Sequence, residues 1–446
     1  MLLAGLLQKW NYMRGSAVLS GMHSVPELLE EAVAQWWSSE TSFPEFARRF
    51  TPREQAEREA ELTKFIERIE AEVAQLPRGR SEREATRERI NTAFVELAKS
   101  ALELNDRHLQ LLLDGGFSGI GNSLARQARR FDPGVSTNDI LQACRNAWTA
   151  CGLQALLGRS MRVTPSIFAY SMLYPYSDNY LDAPDITHQE KAGFNRRFGQ
   201  RLAGEPGPPV NPRENLIWRL VDRIEDEYPR PANPQVHASL LAIHQAQNDS
   251  LRLARRGSAS GDVDALKLSF SKGGTSVLAD GYLAAGTLSA VEARFTFHWG
   301  VMLQLGDDLQ DIREDSADGV LTLFSQAVEH EPLDMVTNRA FHFGERVMRL
   351  LDQVGAAESA TLKELIRRSA RSFLLRCASD AGDLYTNAYL ERLEQHSPFR
   401  FSYLARQRKR FVRRQGAFMR LFDAFLDAPD DEPAFPLLPN TLMPRY

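Results

Sequence analysis

Residues 295–315 read FTFHWGVMLQLGDDLQDIRED. An uncharged run from Phe295 to Gly306 leads straight into Asp307, Asp308, Asp311 and Asp315. A helix this rich in Phe, Trp, Val, Met and Leu is too apolar to lie on a surface. At 3.6 residues per turn, Asp307, Asp311 and Asp315 stack on one face. Like charges at that spacing destabilise a helix, so a cation should neutralise them. Oxygen donors without His or Cys suit Mg²⁺, or Mn²⁺, rather than zinc. Taken alone, the cluster could equally be an acidic, solvated helix end.

A second stretch repeats the design. PSIFAYSMLYPYSDNYLD, residues 165–182, is an aromatic-rich helix ending in Asp178 and Asp182, again four apart. Pro175 should kink or shorten it. Carboxylates at a helix C-terminus oppose the helix dipole, which bound cations would relieve. Two such helices face to face would set an acidic rim above a pocket lined by Trp148, Phe168, Tyr170, Phe297 and Trp299. An acidic rim repels phosphate unless divalent metals bridge the two, so metals clamping a diphosphate over an apolar cavity are expected. Such a site suits ionisation of an allylic diphosphate, with aromatic faces tolerating the carbocation.

Outward from these helices, helix punctuation recurs and alternating strand patterns do not. Thr51-Pro52-Arg53-Glu54 reads as a capping box with Pro in the first helical turn. Ser81 with Glu84 opens a helix expected to run through Leu109 to Gly115-Gly116. Ser136 with Asp139, Thr164-Pro165, and Ser289 with Glu292 open others. The expectation is an all-α protein: a helical extension over 1–110, a helical catalytic domain over 111–428 and a proline-rich tail over 429–446. With 446 residues, 43% hydrophobic and 25% charged, the chain can build a sizeable core and is neither disordered nor collagenous. A net charge of −4 gives no pull towards nucleic acid. Three cysteines without a CxxC pair point to a reducing, cytoplasmic setting, with Cys144 and Cys151 as buried small hydrophobes. No uncharged stretch is long enough to span a bilayer, and the start, MLLAGLLQKWNYMR, does not read as a signal peptide.

QLGDDLQD, Gln304 to Asp311, resembles the second aspartate-rich motif of trans-isoprenyl diphosphate synthases. DDLQDIRED also fits the spaced metal triad of class I terpene synthases. DNYLD, Asp178 to Asp182, is similar to the first DDxxD motif, with Asn179 in place of its second Asp. The interval of about 130 residues between the clusters suits that superfamily. The resemblance covers roughly residues 110–425 and implies a class I isoprenoid synthase-like helical bundle. It further implies that Asp178, Asn179 and Asp182 bind one part of a Mg²⁺ cluster, and Asp307, Asp311 and Asp315 another, with Asp308 also in the catalytic set. Lys272, in SFSKGGTSVLADG, resembles the lysine that meets the diphosphate. Arg196 and Arg197, near Arg201, fall where prenyl synthases carry diphosphate-binding arginines, and Gln304 joins them. Gly273-Gly274 would allow a close approach of helices or substrate.

One departure bears on function. Elongating prenyl synthases carry a GGK element for their second diphosphate; LLLDGGFSGIGNS has Phe117 at the lysine position. The resemblance therefore leans towards bacterial large-terpene synthases of the tetraprenyl-β-curcumene synthase type. These considerations predict a Mg²⁺-dependent terpene synthase that takes one isoprenyl diphosphate. The alternatives are chain elongation, head-to-head prenyl transfer, or a helical interaction protein whose site has decayed.

Other motifs carry less. HQAQND, His244 to Asp249, offers Gln247, Asn248 and Asp249 either to substrate or to a plain polar helix face. RQRKRFVRR, Arg406 to Arg414, is a solvated helix face, a lid over the diphosphate, or a peripheral contact with a membrane surface. The charged helices over 51–113 suit scaffold or a homodimer contact. The histidines form no HExxH, and no GxSxG, Walker or dinucleotide pattern occurs.

Overall fold

Every long periodic stretch folds as a helix. The principal ones are α1 (Val25–Trp37), α2 (Pro52–Ala74), α3 (Arg80–Ser100), α4 (Phe117–Phe131), α5 (Thr137–Leu156), α6 (Pro165–Asp182) and α7 (His188–Leu202). They continue with α8 (Pro212–Glu227), α9 (Pro234–Ser250), α10 (Ala265–Ala285), α11 (Ala290–Gln310), α12 (Asp334–Asp352), α13 (Ala360–Asp380) and α14 (Phe401–Leu426). The computed structural model describes residues 24–114, 116–251, 264–355 and 359–426. Among these no strand occurs, so the fold is all-α. The sequence start, Gly115 and the 429–446 tail lie outside the described residues.

The caps behave as side-chain chemistry dictates. Thr51 with Glu54, and Ser289 with Glu292, form reciprocal capping boxes at α2 and α11. Ser136 accepts from the Asp139 amide and Thr164 from the Ile167 amide. Helix α3 instead begins at Arg80 behind Gly79, without a side-chain cap. Nor does it run on to Leu109: it stops at Ser100, followed by Asp106–Leu109 and a π-turn over Gln110–Asp114. The cause is tertiary. Arg58 donates to the Ala101 carbonyl, and Arg368 donates to those of Leu102 and Glu103, so these oxygens are satisfied outside the helix. Asn105 then caps the next turn by accepting from the His108 amide.

Helix α10 is the axis of the bundle, packed against α11, α9, α5 and α1. Its contact with α11 is close because glycines meet: a Cβ on Gly300 would lie 2.1 Å from the Gly273 carbonyl oxygen. Gly274 accommodates the ring of Phe297 in the same way. Residues 24–110 do not all sit outside this core. Trp36 of α1 is fully buried, edge-on to Phe270 of α10 and Phe343 of α12. The α2–α3 pair instead packs on α14, where Arg400 pairs with Glu59 and Arg410 with Glu70. Those bonds engage part of the RQRKRFVRR run, as do the ion pairs Arg414–Glu70 and Arg408–Asp380. All three cysteines are buried and unbridged, and burial pushes the Cys144 and Cys151 thiols up to about 12. Among the described residues, no helix is long and apolar enough to cross a membrane.

Candidate active site

A cavity of about 1040 Å³ opens within the bundle, walled chiefly by α5, α6, α10, α11 and α13. Asp307, Asp308, Asp311 and Asp315 all line it, together with Lys272 and Gln304. Helix α11 ends at Gln310, but the Asp311 and Asp315 amides still donate to the carbonyls of Asp307 and Asp311, both at 2.9 Å. The four-residue register therefore survives the helix end, keeping the carboxylates on one side.

Their environments differ. Asp308 is buried and anchored, accepting from Ser269 Oγ and, at 2.7 Å, from Gln304 Nε2. Burial pushes its carboxyl up to about 6, against the pull of these two donors and Lys272. Asp315 is pushed up to about 7, first by burial and then by the charges of Asp308 and Asp311. Among the described residues, no three His, Cys, Asp or Glu side chains converge as a ready-made cage for one ion. Mg²⁺ does not require such a cage, since it commonly keeps several waters and is held by one or two carboxylates plus substrate phosphates. Asp307, Asp311 and Asp315 supply hard oxygens of the kind that Mg²⁺ takes, four residues apart along one side of the cavity.

The Asp308 carboxyl gives a prediction for the metal-free protein. Because the fold favours its neutral form, it contributes stability below pH about 4 that is lost as pH rises through about 6. Thermal melts from pH 4 to 7 should show this loss in the native chain and less of it in Asp308→Asn.

The second cluster sits differently. Helix α6 continues through Pro175 to Asp182, and its cavity-facing line is Tyr170, Leu173, Tyr174 and Ser177. Asp178 falls one residue off that line and does not line the cavity. Asn179 donates to Asp139 Oδ1 at 3.0 Å, on an exposed face. The Asp182 side chain lies outside the described residues. The structure thus brings the α11 carboxylates to the cavity without Asp178 beside them.

Of the expected aromatic lining, Trp148, Tyr170 and Trp299 are on the wall, Trp299 stacked with Phe295 at 6.2 Å between centroids. Phe168 and Phe297 are not: both are fully buried, Phe168 against Phe131 and Phe297 against Gly274. Arg196 and Arg197 also lie off the wall. Arg197 makes a bidentate pair with buried Glu214 at 2.9 and 3.0 Å, and Arg201 pairs with Asp222 and Glu225. Gln247 reaches the wall, while Asn248 bonds to His244.

Sequence reasoning missed three features of the cavity. Phe117 itself lines the wall, against Gly152. Arg368, Arg371 and Arg376 of α13 line it too. So does Asp280, a buried carboxyl whose only sequence signal was its isolation in the apolar run VLADGYLAA.

No family model and no curated protein matches the chain. Among solved structures, it is similar to a decaprenyl diphosphate synthase from Rhodobacter capsulatus. The identity is 12%, the match covers 61% of this chain and 99% of that one, and the TM-score is 0.38. What this chain does must therefore be read from the cavity's own residues.

Proposed function

We propose that this protein is a Mg²⁺-dependent class I isoprenoid synthase that ionises one polyprenyl diphosphate and shapes the resulting carbocation into a terpene. The observation that carries the reading is one cavity lined both by the α11 carboxylates with Lys272 and by Trp148, Trp299, Phe295 and Leu303. Mg²⁺ held by Asp307, Asp311 and Asp315 would supply the charge that stabilises the departing diphosphate. Lys272 adds a cation on the same side, and Gln304 holds Asp308 in place. The aromatic walls exclude water and present π faces to the prenyl chain.

Phe117 on the wall favours one diphosphate over two, since it offers an apolar edge where a second anion would need a cation. Arg371 and Arg376 of α13, which line the same cavity, favour the other reading, prenyl transfer between two diphosphates. Product analysis separates them. A single farnesyl or geranylgeranyl diphosphate is expected to yield a hydrocarbon or alcohol and free diphosphate. Added isopentenyl diphosphate should then leave product length unchanged; longer diphosphates in its presence would establish chain elongation instead.

A further inference from the structure

The carboxyl of Asp280 is almost fully buried and lies on the cavity wall. It belongs to the cavity face of α10, which also carries Lys272 and Ser276. Eight residues separate it from Lys272, so it lies about 12 Å further along the helix axis at 1.5 Å per residue. Three helices fix it there. Asn146 of α5 donates to Asp280 Oδ1 at 2.9 Å and to Ser171 Oγ of α6 at 3.2 Å. Beside it the Tyr170 hydroxyl donates to the Ser276 carbonyl at 3.1 Å. No arginine or lysine pairs with the carboxyl among the bonds described, and a buried acid without a countercharge is costly to keep. A cavity that only had to hold a hydrocarbon chain would gain by replacing it with Leu or Met.

We propose that Asp280 is the base that takes the proton ending the carbocation reaction. The inference rests on the isoprenoid synthase reading above. A carbocation generated near Lys272 and moved down the cavity meets one carboxylate there. The C–H bond beside the cationic carbon breaks, and its electron pair becomes the π bond of the product alkene. The proton goes to an Asp280 carboxylate oxygen, leaving a neutral acid that returns the proton to water after product release. Burial holds the carboxyl well above the usual carboxylate range, which makes its ionised form a strong base, and the positive charge of a carbocation in the cavity favours that ionised form. Asn146 is a positioning residue, fixing one carboxyl oxygen.

The experiment measures diphosphate release and product composition together, using the full chain with Mg²⁺ and farnesyl, geranylgeranyl and longer polyprenyl diphosphates. Asp280→Asn keeps the shape and removes the base. It should still release diphosphate, while the share of the principal alkene falls about tenfold or more in favour of other alkenes and water-quenched alcohols. Asn146→Ala should shift products in the same direction, and it serves as the test if Asp280→Asn does not fold. Cys151→Ala, a buried change in the same region, should keep the native product. An unchanged product in Asp280→Asn, or an equal shift in Cys151→Ala, would overturn the assignment. Loss of diphosphate release in folded Asp280→Asn would overturn it too, by placing the residue in ionisation. No release by the native chain would instead remove the isoprenoid synthase reading, and this inference with it.

Discussion

Asp307→Ala is expected to lower diphosphate release by on the order of 10²–10³-fold, with the helical circular dichroism spectrum retained. Asp307 sits in the last turn of α11, where the helix dipole already disfavours negative charge. Asp308 follows it directly and Asp311 lies one turn on, and each adds repulsion. A fold tolerates such crowding when a cation offsets it. Removing one carboxylate in the metal-free protein should therefore cost little stability, whereas the proposed ionisation step would lose one of the oxygens that would hold the metal charge against the leaving group. Steady-state release assays at saturating Mg²⁺, paired with thermal melts, check both halves. A variant that unfolds, or one that turns over at the native rate, would contradict the role.

Gly300→Ala should destabilise the protein by about 3 kcal/mol, since overpacking a well-filled contact costs about 1–3 kcal/mol and this one presses on backbone. The new Cβ would stand 2.1 Å from the Gly273 carbonyl oxygen, and a Cβ on Gly273 would stand 2.6 Å from the Gly300 oxygen. Neither atom can swing aside as a side chain can, so α10 and α11 must separate. Gly306 offers a comparison: its Cβ would strike the Phe373 ring, which has a rotamer to change. Gly306→Ala should thus cost less. Urea denaturation with an unchanged m-value measures both. The separation also reaches the site, because Lys272 and Ser269 lie on α10 and their partner Asp308 on α11.

Much of the fold was legible because capping chemistry is local. Thr51 with Glu54 and Ser289 with Glu292 needed only their own turn to declare a helix start. The break after Ser100 was not legible, because the groups that satisfy its carbonyls, Arg58 and Arg368, come from distant helices. The same distinction runs through the site. The Asp307, Asp311 and Asp315 spacing is a property of one helix and its end, and all three reach the cavity. Whether an aromatic residue faces a cavity or a neighbouring helix depends on rotation about the axis, which an all-round apolar helix does not reveal. Hence Trp299 is on the wall and Phe297, two residues away, is under Gly274. Arg197 and Arg201 looked available for diphosphate, but their acidic partners arrive on the next helix, α8. Asp280 shows the opposite error: a lone acid in an apolar helix is a signal, because burying a charge without a partner costs free energy that packing alone does not require.

The most direct test of the central claim is diphosphate release by the full chain from geranyl, farnesyl, geranylgeranyl and longer polyprenyl diphosphates, with Mg²⁺ and with the metal chelated. Release from at least one of them that stops on chelation is the predicted result. No release from any, with Mg²⁺ present and the chain folded, would contradict the account.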